Sequence, residues 1–164
     1  LGVITPDVDV LRDDLGFPGM RILQFAFGGD DRESFRPDRY PENTVVYTGT
    51  HDNDTTTGWY RADPEREAIR PVAEVAEERH RVRTYLGCDG AEIHWDMIAL
   101  ALRTPSRTAI VPLQDVLGLG SEARMNVPGR PWGNWQWRFG WEQLRPEAEE
   151  RLATLTRAAN RASP

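Results

Sequence analysis

The chain has 164 residues and a formal net charge of −6, with 39% hydrophobic and 28% charged residues. Roughly 100–200 residues form one domain, and this share of apolar side chains excludes a disordered chain. The acidic balance argues against binding that neutralises phosphates, so no nucleic-acid partner is expected. The single cysteine, Cys88, excludes an internal disulfide framework and suits a reducing compartment, so we expect a cytoplasmic protein.

The first segment has the pattern of a strand end followed by a helix. Residues 1–4 resemble the last part of a strand, and the chain starts at Leu1 rather than at a methionine. A helix is predicted to begin after Thr5, a residue suited to capping, and to end at Gly16. Because a domain seldom begins at the end of a strand, we expect a C-terminal piece of a longer chain. No apolar run reaches the ~20 residues that span a bilayer, so no membrane partner is expected.

Three short apolar runs predict buried strands at residues 21–27, 44–47 and 108–113. Runs that are apolar on both faces are typical of parallel sheets covered by helices. Helical periodicity predicts helices over residues 64–86 and 91–102. A loop-rich stretch follows from residue 116, and Pro146 begins a final helix. The alternation of strands and helices predicts a mostly parallel α/β sheet, and three strands indicate part of a larger structure.

Each predicted strand is followed by a polar cluster, at residues 28–31, 51–54 and 114–115. The carboxyl ends of parallel strands lie at one edge of a sheet, where ligands bind in α/β folds. Residues 51–54 are the most informative cluster, because His51 and Asp52 are adjacent and directly follow a buried strand. The pair fits an acid/base pair, a sugar-binding clamp or, together with Asp54, a metal site.

Several residues near these clusters have structural roles as alternatives to chemical ones. Asn53, Asp54 and the neighbouring threonines fit a turn that caps the next helix. His80 and His94 fit solvated faces or ordinary packing, so no metal site is expected, although a metal-dependent hydrolase remains an alternative. Trp135 and Trp137 are assigned to packing, with a stand-alone α/β carbohydrate-binding module as the other alternative. Asp115 either orients a loop or contacts a ligand, and Arg124 either holds a carboxylate or braces a loop.

Residues 45–56, followed by Gly58 and Trp59, closely resemble the amylomaltases, the 4-α-glucanotransferases of the α-amylase clan in glycoside hydrolase family 77. The likeness extends nearly end to end, in the family's order. The further matching segments are residues 1–6, 19–27, 111–126, 128–129 and 133–135.

This resemblance implies a (β/α)8 TIM barrel, with residues 1–164 as the C-terminal portion of its single catalytic domain and its last three parallel strands. It implies retaining transfer of α-1,4-glucan segments between maltooligosaccharides, without a cofactor. Asp52 matches the acid that stabilises the transition state, and His51 matches the neighbour that contacts sugar hydroxyls. Asn126 looks like another sugar contact, and Asp30 is a candidate for an acidic one.

The resemblance also implies that two acidic residues are missing from this chain. The family's acid/base glutamate lies in a Glu-Asp-Leu-Gly run, of which Leu1 and Gly2 form the second half, and the nucleophile lies further upstream. A retaining mechanism needs both carboxyl groups, about 5–5.5 Å apart. We therefore expect the polypeptide alone to be inactive. We also expect the missing half of the barrel, or another chain, to cover an exposed apolar face.

Overall fold

A computed structural model of the chain describes residues 4–29, 35–63 and 71–162. Helix α1 spans Pro6–Asp14, as predicted. Strand β1 spans Gly19–Ile22 and leads directly into a 3-10 helix over Leu23–Phe27. The prediction of one strand over residues 21–27 is therefore wrong in its second half. Both pieces are buried and apolar, and a run of this length does not reveal its backbone conformation.

Strand β2 spans Thr44–Tyr47, as predicted, and helix α2 spans Thr56–Arg61. Helix α2 was not predicted as a separate element, because six residues are too few to show a period. Helix α3 spans Val72–Leu86, within the helix predicted for residues 64–86. The first part of that prediction, residues 64–70, lies outside the described residues.

Helix α4 spans Ile93–Arg103 and strand β3 spans Thr108–Ile110. The strand is shorter than the predicted 108–113, because Pro112 has no N–H to donate to a ladder and instead precedes helix α5, Leu113–Val116. Helix α6 spans Pro146–Ala158, as predicted. Short 3-10 helices complete the assignment at Pro37–Arg39, Ser121–Ala123 and Trp141–Gln143.

Within the described residues, the three strands form one parallel sheet in the order β1-β2-β3. The register places Ile22 beside Tyr47, and Tyr47 beside Ile110. Each strand thus pairs with the next one along the chain, as in a (β/α)8 barrel, whereas the strand order reverses in a doubly wound sheet. The predicted fold class, part of a TIM barrel contributing three parallel strands, agrees with this arrangement.

The two faces of the sheet differ in their environment. On one face Val46 is fully buried in a core that includes Val82 of α3 and Met97 of α4. On the other face the apolar side chains of Met20 and Ile110 are 48% and 44% exposed. This second face is the one that would line the inside of a barrel, and Met20 and Ile110 give it exposed apolar surface.

Helix α1 lies on the surface of the described structure. Helix α1 has no buried residue, and its apolar side chains Val8, Val10 and Leu11 are all exposed to solvent. In the parts of the chain that the structure describes, no helix has the length and apolar character needed to cross a membrane.

Candidate functional site

The segment after β2 forms a tight turn that presents two ionisable side chains. The backbone N–H and the hydroxyl of Thr50 both donate to Asn53 Oδ1, at 3.0 and 2.7 Å. These bonds close the turn around His51 and Asp52, as expected of a short polar side chain in this position. Asn53 therefore has the turn-forming role that the sequence suggested.

Asp52 and His51 lie at the carboxyl edge of the sheet with solvent access. The side chain of His51 is 54% exposed and that of Asp52 is 41% exposed. Nε2 of His51 lies 3.5 Å from Oδ1 of Asp52. The carboxylate of Asp52 does not cap a helix, because the capping group of α2 is the hydroxyl of Thr55, which accepts from the Gly58 N–H.

Asn126 joins the pair from the loop that follows β3. Its Nδ2 donates to Oδ1 of Asp52 at 2.6 Å, and its backbone N–H donates to the carbonyl oxygen of His51 at 3.0 Å. The structure therefore brings His51, Asp52 and Asn126 together from two loops, with Asp52 and Asn126 74 residues apart in sequence. The fourth candidate, Asp30, lies outside the described residues.

Trp135 contacts this cluster, which the sequence did not predict. Its ring centroid lies 5.0 Å from that of His51, and its backbone N–H donates to the carbonyl oxygen of Met125 at 2.7 Å. Its φ of 62° lies in the left-handed region that bulky residues rarely adopt, and its side chain is half-exposed. No pattern in the sequence indicates this backbone conformation at Trp135. The one available signal is that Trp135 lies in the same loop as Asn126.

Arg124 braces the same loops. Its Nε donates to the carbonyl oxygen of Asn126 at 2.9 Å and its Nη2 donates to that of Asp52 at 2.7 Å. Of the two roles considered for Arg124, the contacts are therefore those of a loop brace.

Asp115 is buried beneath the site rather than exposed in it. Its carboxylate accepts from the Thr48 hydroxyl at 2.5 Å, and from the N–H and hydroxyl of Thr56 at 2.7 and 2.9 Å. Burial raises the pKa of Asp115 above its ordinary value, and the bonds from Thr48 and Thr56 offset part of that rise. Asp115 therefore ties the segments after β2 and β3 together, which decides between its two possible roles.

A groove adjoins the polar cluster on the inner face of the sheet. It has a volume of about 320 Å³, within the range of small-molecule pockets. The apolar side chains of Met20, Ile22 and Ile110 contribute to its lining, and His51 and Asp52 stand at its rim. An apolar floor with a few polar groups suits a ligand that has apolar faces and hydroxyl edges, such as a sugar ring.

The contacts are relevant to the two alternative functions, a metal-dependent hydrolase and a stand-alone carbohydrate-binding module. In the described part of the chain, no three His, Cys, Asp or Glu side chains are grouped for a metal ion, and Asp54 accepts from Ser121 and from the Thr55 N–H. The rings of Trp137 and Phe139 are stacked, but that of Trp141 meets Phe139 at 72°. These rings pack on one another and do not form the coplanar platform that a stand-alone carbohydrate-binding module would require.

Three features are those of the α/β-barrel class, in which ligands bind in the loops after the strands. The parallel strands follow one another in chain order, helices cover the sheet, and a polar cluster lies at its carboxyl edge. Comparison with known proteins identifies the family. A model of glycoside hydrolase family 77, described as 4-alpha-glucanotransferase, matches residues 1–143. The chain belongs to this family, which confirms the resemblance seen in the sequence.

Curated relatives support the same assignment. The 4-alpha-glucanotransferase of Synechocystis is 48% identical over 158 residues, which cover 95% of this chain and 29% of that protein. The 4-alpha-glucanotransferase of Thermus thermophilus is 47% identical over 163 residues, or 98% of this chain and 32% of that protein. The chain thus spans about a third of the length of these relatives.

A solved structure shows the same fold. An amylomaltase from Streptococcus agalactiae in complex with acarbose superposes with a TM-score of 0.86 at 32% identity. The match covers 99% of this chain and 31% of that one. The predicted fold class, part of a (β/α)8 barrel, is thereby confirmed.

Proposed function

We propose that the chain forms part of a retaining 4-α-glucanotransferase, which transfers α-1,4-glucan segments between maltooligosaccharides. The observation that carries the proposal is the cluster of Asp52, His51 and Asn126, in which His51 and Asp52 border the apolar groove. Family membership and the activity named for the full-length relatives support it. The acarbose bound by the Streptococcus agalactiae amylomaltase supports a glucan substrate.

Asp52 has the role of an electrostatic stabiliser in this proposal. Glycosyl transfer passes through a sugar with oxocarbenium character, and a fixed carboxylate stabilises the positive charge that develops there. The bond from Asn126 Nδ2 holds one carboxylate oxygen in place. His51, whose side chain is more than half exposed, supplies a donor to sugar hydroxyls, and the partly exposed Asn126 has a second N–H on the Nδ2 that bonds Asp52.

The other carboxylates described near Asp52 already have contacts of their own. Asp115 is buried and accepts from Thr48 and Thr56, and Asp54 accepts from the Ser121 hydroxyl. The resemblance to the family matches neither of them to the nucleophile or to the acid/base residue. We therefore propose that residues 1–164 contribute the C-terminal portion of the catalytic domain and that this polypeptide alone does not transfer or hydrolyse glucan. Further strands, from the same or another polypeptide, would cover the face that carries Met20 and Ile110.

Two measurements on the purified 164-residue chain test this proposal. Incubation with maltotriose, followed by chromatography of the sugars, should give no glucose and no longer oligosaccharides, and detectable disproportionation would refute the proposed inactivity. Titration with acarbose should show weak binding that Asp52→Asn reduces. Glu150→Gln, an exposed change on α6, is the matched control and should bind as the unsubstituted chain does. Equal binding by the Asp52→Asn chain would remove Asp52 from the proposed site.

A further inference from the structure

The carbonyl oxygens that Arg124 contacts belong to the two residues whose side chains meet in the site. One guanidinium bonds the backbone of Asp52, after β2, and the backbone of Asn126, after β3. The side chains of these residues form the bond from Nδ2 to Oδ1 at 2.6 Å. Arg124 itself is half-buried, and the contacts described for it go to backbone oxygens rather than to a carboxylate.

The shape of the guanidinium makes this contact directional. Its N–H groups lie in one plane at fixed angles, so two carbonyl oxygens bonded to it are held at a fixed separation. A lysine has one compact ammonium on a flexible stem and cannot reproduce both directions. The other backbone link between the loops at this point is the N–H of Asn126 donating to His51. A single hydrogen bond leaves rotation about its axis, which the two bonds of Arg124 restrict.

We propose that Arg124 is a positioning residue for the glucan-transfer reaction, setting the placement of the Asp52 carboxylate through the two backbones that it joins. This inference rests on the proposed function and adds a residue to it. An oriented carboxylate stabilises the transition state more than the bound substrate, so Arg124 acts on kcat more than on KM. A displacement of about 1 Å in such a group costs up to about 100-fold in rate.

The activity test uses a chimera in which this chain replaces the aligned 163-residue segment of the Thermus thermophilus relative. Arg124→Met removes the donors while approximating the aliphatic part of the side chain. We expect kcat for maltotriose disproportionation to fall about 10- to 100-fold, with KM changed less than about threefold. Arg130→Met, an exposed change in the same loop, is the matched control and should leave both constants unchanged. A kcat of Arg124→Met within twofold of the parent would overturn the proposal.

Chemical rescue separates positioning from a general structural role. In an Arg124→Ala chimera, added ethylguanidinium should restore kcat at least fivefold, because the small cation can reoccupy the space between the two carbonyl oxygens. Arg124→Lys should remain impaired, since it cannot bond both. A loss of kcat that rescue does not reverse, with a matching loss of thermal stability, would assign Arg124 to folding alone and overturn the inference.

A measurement on the 164-residue chain does not depend on activity. The side-chain amide protons of Asn126, seen by NMR, report the bond to Asp52. Arg124→Met should move these resonances to the positions of a solvated amide, while Arg130→Met should leave them unchanged. Unchanged resonances in Arg124→Met would overturn the positioning role whatever the chimera shows. An inactive unsubstituted chimera with the expected NMR change would instead count against the proposed function alone.

Discussion

Replacing Asp115 tests the buried link that holds the two site loops together. In Asp115→Ala, the three donors from Thr48 and Thr56 lose their acceptor in a buried environment. Each unpaired buried donor costs about 1–3 kcal/mol, or about 3–9 kcal/mol for three. The substitution also removes the cost of burying a carboxylate, which is several kcal/mol and offsets part of the loss. We expect the free energy of unfolding to fall by about 3–5 kcal/mol.

The assay is urea unfolding followed by tryptophan fluorescence at pH 7. Asp115→Asn should lose only about 1–3 kcal/mol, because the amide oxygen still accepts from the Thr56 N–H and the NH2 group can donate to hydroxyl oxygens. This milder variant keeps the comparison measurable if Asp115→Ala fails to fold. An Asp115→Ala protein within about 1 kcal/mol of the parent would refute the reasoning, since a loss that small would mean the three bonds contribute almost nothing net.

The pH dependence of the same variants adds a check with a definite sign. Burial raises the folded-state pKa of Asp115 above 3.8, so between 3.8 and the raised value the folded protein binds more protons than the unfolded one. This group's contribution to the free energy of unfolding is therefore largest below pH 3.8 and falls as pH rises through that window. In Asp115→Asn this fall should be absent, and an identical slope in both proteins would contradict the assignment.

Substitutions at Gly90, Gly87 and His94 test packing and burial in the segment from the end of α3 into α4. Gly90→Ala should lower the free energy of unfolding in urea by about 2–4 kcal/mol, because the φ of Gly90 is +81° and the new Cβ would collide with Tyr60. Gly87→Ala is the control, because Gly87 has a φ of +65° but no atom near the added Cβ, and it should lose only about 1–2 kcal/mol. Equal losses in the two variants would contradict the collision with Tyr60. Burial lowers the pKa of His94, so below pH 6.5 the unfolded chain takes up a proton that the folded chain does not. Stability should thus decline as pH falls through 6.5, and His94→Gln should flatten that decline; an unchanged profile would place His94 in solvent.

The positions of the strands, and their order along the chain, were predictable where the residue types that favour a strand are also the ones buried in the sheet. Strand β2 is rich in β-branched residues that suit a covered sheet, and it was placed correctly. Residues 23–27 were assigned to a strand although they form a 3-10 helix, because buried apolar residues in short runs fit either conformation. Tertiary contacts decide such segments, as when Gln24 Nε2 donates to the carbonyl oxygen of Asp54.

The candidate site was predictable to the extent that its residues carry recognisable chemistry in a local motif. His51 and Asp52 directly follow a strand, and Asn126 lies in a segment that resembles the family, so all three were named before the structure placed them together. Arg124 was left between two roles, because its partners are backbone carbonyls that any residue would supply. The catalytic and binding roles, and the cytoplasmic location, stay predictions.

Maltotriose disproportionation by the chimera with the Thermus thermophilus relative, with and without Asp52→Asn, measures the role of the Asp52 carboxylate in the reaction. We predict that the chimera produces glucose and longer maltooligosaccharides, and that Asp52→Asn lowers kcat by about 100- to 1,000-fold, the effect expected on removing a fixed electrostatic stabiliser. A folded chimera whose kcat is the same with asparagine at this position would contradict the central claim that the Asp52 carboxylate stabilises glucan transfer.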